Sequence, residues 1–243
     1  MHHLVLDEWS RRDGWLQKRD PRAKLAVLLA CLVALASSRS LTWPVALGFI
    51  GMLAAGTRLG RLPVAGVAWR ACVVLPFAGA VALAAAVAGQ GREAASLLAR
   101  SYFSAAFAVI VAGTTPLGAL LRGLQSLGAP RLFVLVVNFL YRYLFVLSEE
   151  AQHMRLAARS RGACRAAWRR NRSLWRAAAG ALAMLFARSQ ARAGAIHRAM
   201  VARGFQGDVV FLGALRMRRG DWLLLAAGCT ALMAIATGAA FIQ

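Results

Sequence analysis

Acidic side chains are scarce in this chain: nine Asp and Glu stand against 30 Lys and Arg among 243 residues, a formal net charge of +21. Nine carboxylates and four histidines, spread as they are, assemble no acid–base or nucleophile constellation, which argues against a membrane-embedded enzyme. Cys31, Cys72, Cys164 and Cys229 have no C-x-x-C spacing. Three of them fall in apolar stretches and read as small core residues rather than ligands or disulfides. A G-x-x-x-x-G-K-[ST] loop is missing, and neither Lys18 nor Lys24 follows a glycine-rich stretch, which excludes ATP binding of the P-loop kind. No cofactor and no metal site is expected: His2 and His3 offer ring nitrogens, and Glu149 with His153 forms an i, i+4 pair, but neither is a complete ligand set. A secretory leader is not expected either. The first 24 residues mix Arg11, Arg12, Lys18, Arg19, Arg22 and Lys24 with Asp7, Glu8, Asp13 and Asp20, and no small-residue cleavage site ends an apolar core there.

What the chain has in abundance is apolar length. Hydrophobic residues make up 60% of it, in the range of a polytopic membrane protein. Residues 71–91, 101–121 and 222–243 form uncharged windows of 21, 21 and 22 residues. Each is long enough to cross roughly 30 Å of hydrocarbon at about 1.5 Å per helical residue. The shorter stretches 25–38 and 41–57, separated by Arg39 and closed by Arg58, read as a helical hairpin with Trp43 and Pro44 near its turn. The expectation is an all-α integral membrane protein of about five transmembrane helices plus a cytoplasmic domain of long helices. With the N-terminus in the cytoplasm, the outer connections hold only Arg39, Arg92 and Arg100, so 27 of the 30 basic residues lie on or near the inner side.

The organisation divides into 1–121, an N-terminal segment with four spans; 122–220, a cytoplasmic helical domain; and 221–243, a last span. Fifteen arginines fall between Arg155 and Arg219, among apolar runs too short to span. Gly128-Ala129-Pro130 marks a helix start, since proline suits a first turn. The spacing of Leu132, Leu135, Val136, Phe139, Leu140, Tyr143 and Leu147 predicts a helix from Arg131 to about Arg161, and a second is expected from about Ser173 to Ala202. Arg165, Arg169, Arg172 and Arg176 form one helical stripe, suited to anionic lipid headgroups at roughly 1 kcal/mol each. Little aromatic interleaving accompanies that stripe, which argues against nucleic acid. Asn138, inside an apolar run, suits an interhelical hydrogen bond.

Two tripeptides, Ala158-Arg159-Ser160 and Ala202-Arg203-Gly204, end these two helices 44 residues apart. A glycine closely follows each arginine, Gly162 after Arg159 and Gly204 after Arg203. A guanidinium flanked by small residues can enter another protein's groove and bind a carboxylate through bidentate hydrogen bonds. Residues 11 apart on an α-helix differ by only about 20°, so Arg192 and Arg203 share a side with Ala199 between them and Gly194 and Ala195 nearby.

These features resemble the transmembrane T component of energy-coupling factor transporters, in the branch that includes the cobalt transport Q subunit. The resemblance spans nearly the whole chain. It rests on Asp20-Pro21-Arg22-Ala23-Lys24-Leu25 before the first span, Thr115-Pro116 after the fourth, and Tyr141-Arg142-Tyr143 through Glu149 and Glu150. It rests also on Arg159-Ser160-Arg161-Gly162 and Ala199-Met200-Val201-Ala202-Arg203-Gly204-Phe205, the first with Ser160 where many members have glycine. The resemblance implies a non-catalytic membrane subunit whose arginine-tipped helices, through Ala158, Arg159, Ser160, Arg161, Gly162, Ala202, Arg203 and Gly204, dock into two ATP-binding ABC ATPase subunits. Those helices would pass ATP-driven motion to a separate substrate-binding membrane subunit, the S component. Membrane lipids are further partners, and cobalt is favoured as substrate over vitamins by Leu6-Asp7-Glu8-Trp9 and the arginine-rich loop. The alternative is a self-contained permease or channel whose arginines only set topology, but that should place polar groups in mid-span, and the clearest spans offer almost none.

Overall fold

The computed structural model describes Trp9 and residues 14–37, 43–161, 172–207 and 217–240, with only the backbone at 172–174 and 236–240. No strand occurs among the described residues. The helices among the described residues are α1 (Pro21–Ser37), α2 (Trp43–Leu59), α3 (Val64–Ala71), α4 (Leu75–Val87), α5 (Gly91–Thr114), α6 (Leu117–Ser126), α7 (Arg131–Ser160), α8 (Arg172–Ala202) and α9 (Arg219–Ala240). They fall into two compact units: residues 1–128 with 212–243, and residues 129–211.

In the first unit α5 is central, touching α1, α2, α3 and α4, while α9 packs on α1 and α2. The core forms two clusters. Phe49 is fully buried, stacked on Phe103 at 6.1 Å and edge-on to Phe107 at 6.2 Å, among Cys31, Leu35, Val45 and Leu232. Trp9, from the N-terminal segment, is buried with Leu16, Leu62, Val67, Ala71, Ala106 and Ile110, and Arg70 lies over its ring at 4.1 Å. Close approach depends on two glycines: a Cβ at Gly228 would sit 3.0 Å from Val27, and one at Gly48 would sit 2.7 Å from Ile235. This is the small-residue packing used between helices in a membrane, where lipid supplies no hydrophobic drive for helices to meet.

Among the described residues, three segments have the length and composition to cross a membrane: Val64–Val87, Gly91–Thr114 and Arg131–Ser160. Two differ from the uncharged windows. The first begins at Val64 rather than 71 and continues through a 3-10 turn at Cys72–Val74 just before Pro76. The second runs 91–114 instead of 101–121, for two reasons. Arg100 stays inside the helix because its guanidinium donates to the carbonyl and hydroxyl of Ser96, at 3.3 and 2.8 Å. Thr115 is extended, φ −135° and ψ 120°, as the residue before Pro116 tends to be, so the helix stops there. The third apolar segment, in α7, lies within 122–220. Exposed Trp69, Phe77, Val81, Leu83 and Val87 on α3 and α4 match a lipid-facing surface. Together these helices make a multi-pass membrane protein.

Candidate functional site

The second unit consists of α7 and α8, whose boundaries lie within a residue or so of those expected. Pro130 stands at the N-cap of α7, where its missing N–H costs no hydrogen bond. Phe139 stacks on Tyr143 at 6.1 Å and Tyr141 meets Phe145 edge-on at 5.1 Å, both at i, i+4 along α7. An ion pair between Arg188 of α8 and Glu150 of α7 ties the two helices. Apart from Val134, α7 has no fully buried residue among those described, and α8 has none.

The tip of α8 is closed by local chemistry. Gly204 takes φ +79°, in the left-handed region that favours glycine. Its N–H donates to the carbonyl of Val201 at 2.9 Å, and the N–H of Phe205 donates to that of Met200 at 3.1 Å. This pair of bonds is a Schellman closure. Arg203 is therefore the C-cap residue, its backbone pinned from both sides and its side chain exposed, between exposed Ala202 and Gly204.

The tip of α7 is built differently. Ala158, Arg159, Ser160 and Arg161 are all exposed. The Ser160 hydroxyl donates back to the carbonyl of Leu156 at 3.2 Å, and the N–H of Arg161 is shared between the carbonyls of Ala157 and Ala158, each at 3.2 Å. Gly162 lies outside the described residues. At both tips the guanidinium stands at the negative end of a helix dipole, a favourable place for a cation. Neither Arg159 nor Arg203 has an ion-pair partner among the described residues. Each is thus available to a carboxylate from elsewhere.

Not every expectation for this region meets a described residue. Arg165 and Arg169 lie outside, and of Arg172 only the backbone is described, whereas Arg176 is exposed. Arg192 is half-buried while Arg203 is exposed, although both lie on one side of α8; Ala195 and Ala199 are exposed between them. His2, His3 and Cys164 also fall outside. No group of three or more His, Cys, Asp or Glu that could hold a metal occurs among the described residues, and Glu149 and His153 are exposed. Of the cysteines read as core residues, Cys31 is buried but Cys72 and Cys229 are exposed.

The sequence reading missed a polar cluster in the first unit. The Lys24 ammonium, buried, donates to the carbonyl of Thr114 and the hydroxyl of Thr115, both at 3.0 Å. Asp221, also buried, accepts from the backbone N–H of Asp20 at 3.1 Å and that of Arg218 at 2.7 Å. Asp20 caps α1 by accepting from the N–H of Arg22 at 2.9 Å. Asp20, Lys24 and Thr115 each belong to a quoted motif, but nothing local shows that they meet. Close by, a cavity of about 580 Å³ lies between α1, α2, α5 and α9, with Lys24 the sole charge among its described lining residues.

Comparison with known proteins adds the last element. A family described as cobalt transport protein, CbiQ, matches residues 13–211, a range that contains the Asp20–Lys24 turn and both helix tips. An uncharacterized protein of Methanocaldococcus jannaschii is 22% identical over 257 positions, covering 96% of this chain and 86% of that one. The cobalt transport protein CbiQ of Rhodobacter capsulatus is 30% identical over 155 positions, covering 58% of this chain and 61% of that one.

Proposed function

Because the chain belongs to the cobalt transport protein family, we propose that it is the transmembrane scaffold and energy-coupling subunit of an energy-coupling-factor importer, with cobalt as the transported substrate. Arg159 and Arg203 each dock in an acidic groove on one of two ABC ATPase subunits. ATP hydrolysis takes place in those partners, and α7 and α8 carry the resulting motion to a substrate-binding membrane subunit. The N-terminus faces the cytoplasm, in keeping with the one-sided distribution of basic residues.

The observation that carries this reading is the pair of exposed guanidiniums, without an ion-pair partner among the described residues, at the ends of two long helices, one of them held by a Schellman closure. Surface arginines placed only to fix topology need no such backbone definition. The near-absence of charge from the lining of the 580 Å³ cavity likewise favours a coupling subunit over a self-contained ion path.

The test is co-purification of the ATPase subunits, with cobalt uptake, for Arg159→Ala, Arg203→Ala, the double variant and Arg169→Ala. Each tip variant should lose about 2 to 5 kcal/mol of its contact, because a partner carboxylate is left unpaired where water is excluded. The double variant should lose both assembly and uptake while Arg169→Ala keeps them. Equal, mild losses across the series would show that the arginines act only as diffuse charge.

A further inference from the structure

The chain leaves its first unit after Gly128 and returns at Leu212, so the coupling helices are joined covalently to the membrane bundle at those two crossings. The described stretches that flank the two crossings, up to Gly123 on one side and from Arg218 on the other, are fastened to one short turn. On the outgoing side, Lys24 holds the last carbonyl of α5 and the hydroxyl of Thr115, at the break before α6. The same side is held a second time by α6: Gly123 faces Pro21 and Leu25 so closely that an added Cβ would meet each at 3.2 Å. On the returning side, Asp221 in the first turn of α9 accepts the N–H of Asp20, and Arg19 lies 4.0 Å from its carboxylate. Arg19 is itself braced by Trp15, 3.9 Å below its guanidinium.

From this convergence we infer that the Asp20–Leu25 turn is a fixed anchor for the two connections into the coupling helices, with Lys24, Asp20 and Asp221 as positioning residues for transport. The inference rests on the coupling role proposed above. A buried ammonium and a buried carboxylate are costly unless fully bonded, so their interactions resist being pulled apart by partial opening. The carbonyl that Lys24 holds is at the negative end of α5, which strengthens that hold. A rigid anchor makes motion at the tips turn the coupling helices instead of unwinding the segments that join them to the bundle.

The experiment uses Lys24→Met, Asp221→Asn and the double variant in the full chain, co-expressed with the ATPase subunits and the substrate-binding subunit. The expected result is normal recovery of the complex and continued ATP hydrolysis, with cobalt uptake per assembled complex lowered about tenfold or more. Hydrogen exchange of the chain alone should be faster at 117–127 and 219–224 in the variants, and this readout does not depend on any partner. A Pro21→Cys, Gly123→Cys pair should form a disulfide that restores uptake to Lys24→Met and is undone by reductant, since the two Cβ atoms lie near bonding separation. Unchanged uptake, unchanged exchange, uptake that falls only in step with recovered complex, or a staple that blocks uptake in the otherwise unaltered chain would each overturn the anchor. Loss of the coupling reading has a separate sign: Arg159→Ala with Arg203→Ala would still bring down the ATPase subunits.

Discussion

In the membrane bundle, side chains from α1, α2, α3, α5 and α9 fill one another's gaps, and Phe49, Cys31, Ala23 and Ala71 have no exposed surface at all. In the α7–α8 unit the large apolar side chains Leu132, Phe133, Val136, Leu140, Leu182, Met184 and Phe186 stand exposed. The contrast follows from the cost of ordering a chain. A segment that buries little of its own surface gains little from packing, and must be completed by lipid or by other proteins. The bundle has the character of a folded support, and the helix pair that of half an interface. Its tips fit this reading, because capping hydrogen bonds hold each helix end without help from tertiary packing.

The contrast breaks most visibly at Phe49. Truncation to Ala removes a ring packed against Phe103 and Phe107 and should cost about 3 to 5 kcal/mol, read as a lowered unfolding temperature of the purified protein. The fraction that remains folded should still bring down the ATPase subunits, because the tips are untouched. A loss of binding without a loss of stability would mean the two regions are not separable in this way.

Replacing Arg159 or Arg203 with Lys sharpens the same comparison from the other side. Unfolding temperature should be unchanged, since both side chains are exposed. Recovery of the ATPase subunits should be restored only weakly relative to Ala, because a single ammonium cannot reproduce the bidentate fork. Full rescue by Lys would reduce the contact to simple charge.

Gly204→Ala addresses the closure itself. A side chain at φ +79° should destabilise the last turn of α8 by about 1 to 2 kcal/mol, seen as faster hydrogen exchange at Gly204 and Phe205. The bundle should exchange as before. Protection equal to that of the unaltered chain would show that something beyond the closure holds the tip.

The smallest expected effect is that of Arg188→Ala. The pair it makes with Glu150 is more than half exposed on the arginine side, so its loss should cost well under about 1 kcal/mol and fade in high salt. A large effect would reveal that α7 and α8 depend on this tie for their mutual position.

How much of this was legible beforehand depends on distance along the chain. Pro130, the 3- and 4-residue apolar spacing of α7, and Ala202-Arg203-Gly204 sit next to the features they control, so the helix limits and the exposed tips could be read directly. Span limits were harder to read. Counting uncharged residues treats Arg100 as a boundary, whereas its bonds to Ser96 let it remain within α5, and it treats Thr115-Pro116 as unremarkable, whereas the extended backbone there ends the helix.

By itself the sequence determined that the chain is helical, that it belongs in a membrane, and that two arginines stand at helix ends next to small residues. All of these follow from composition and from contacts between near neighbours. Only the tertiary structure decided that Lys24 meets Thr114 and Thr115 across 90 residues or more, and that Asp20 meets Asp221 across 201. Such pairings leave no periodic trace, since any of the chain's buried charges could in principle sit beside any backbone N–H, carbonyl or hydroxyl. Which of them do is decided by the glycine-permitted approach of α9 to α1 and by the fit of α6 against the Asp20–Leu25 turn, where a buried charge without its partner would be too costly to keep.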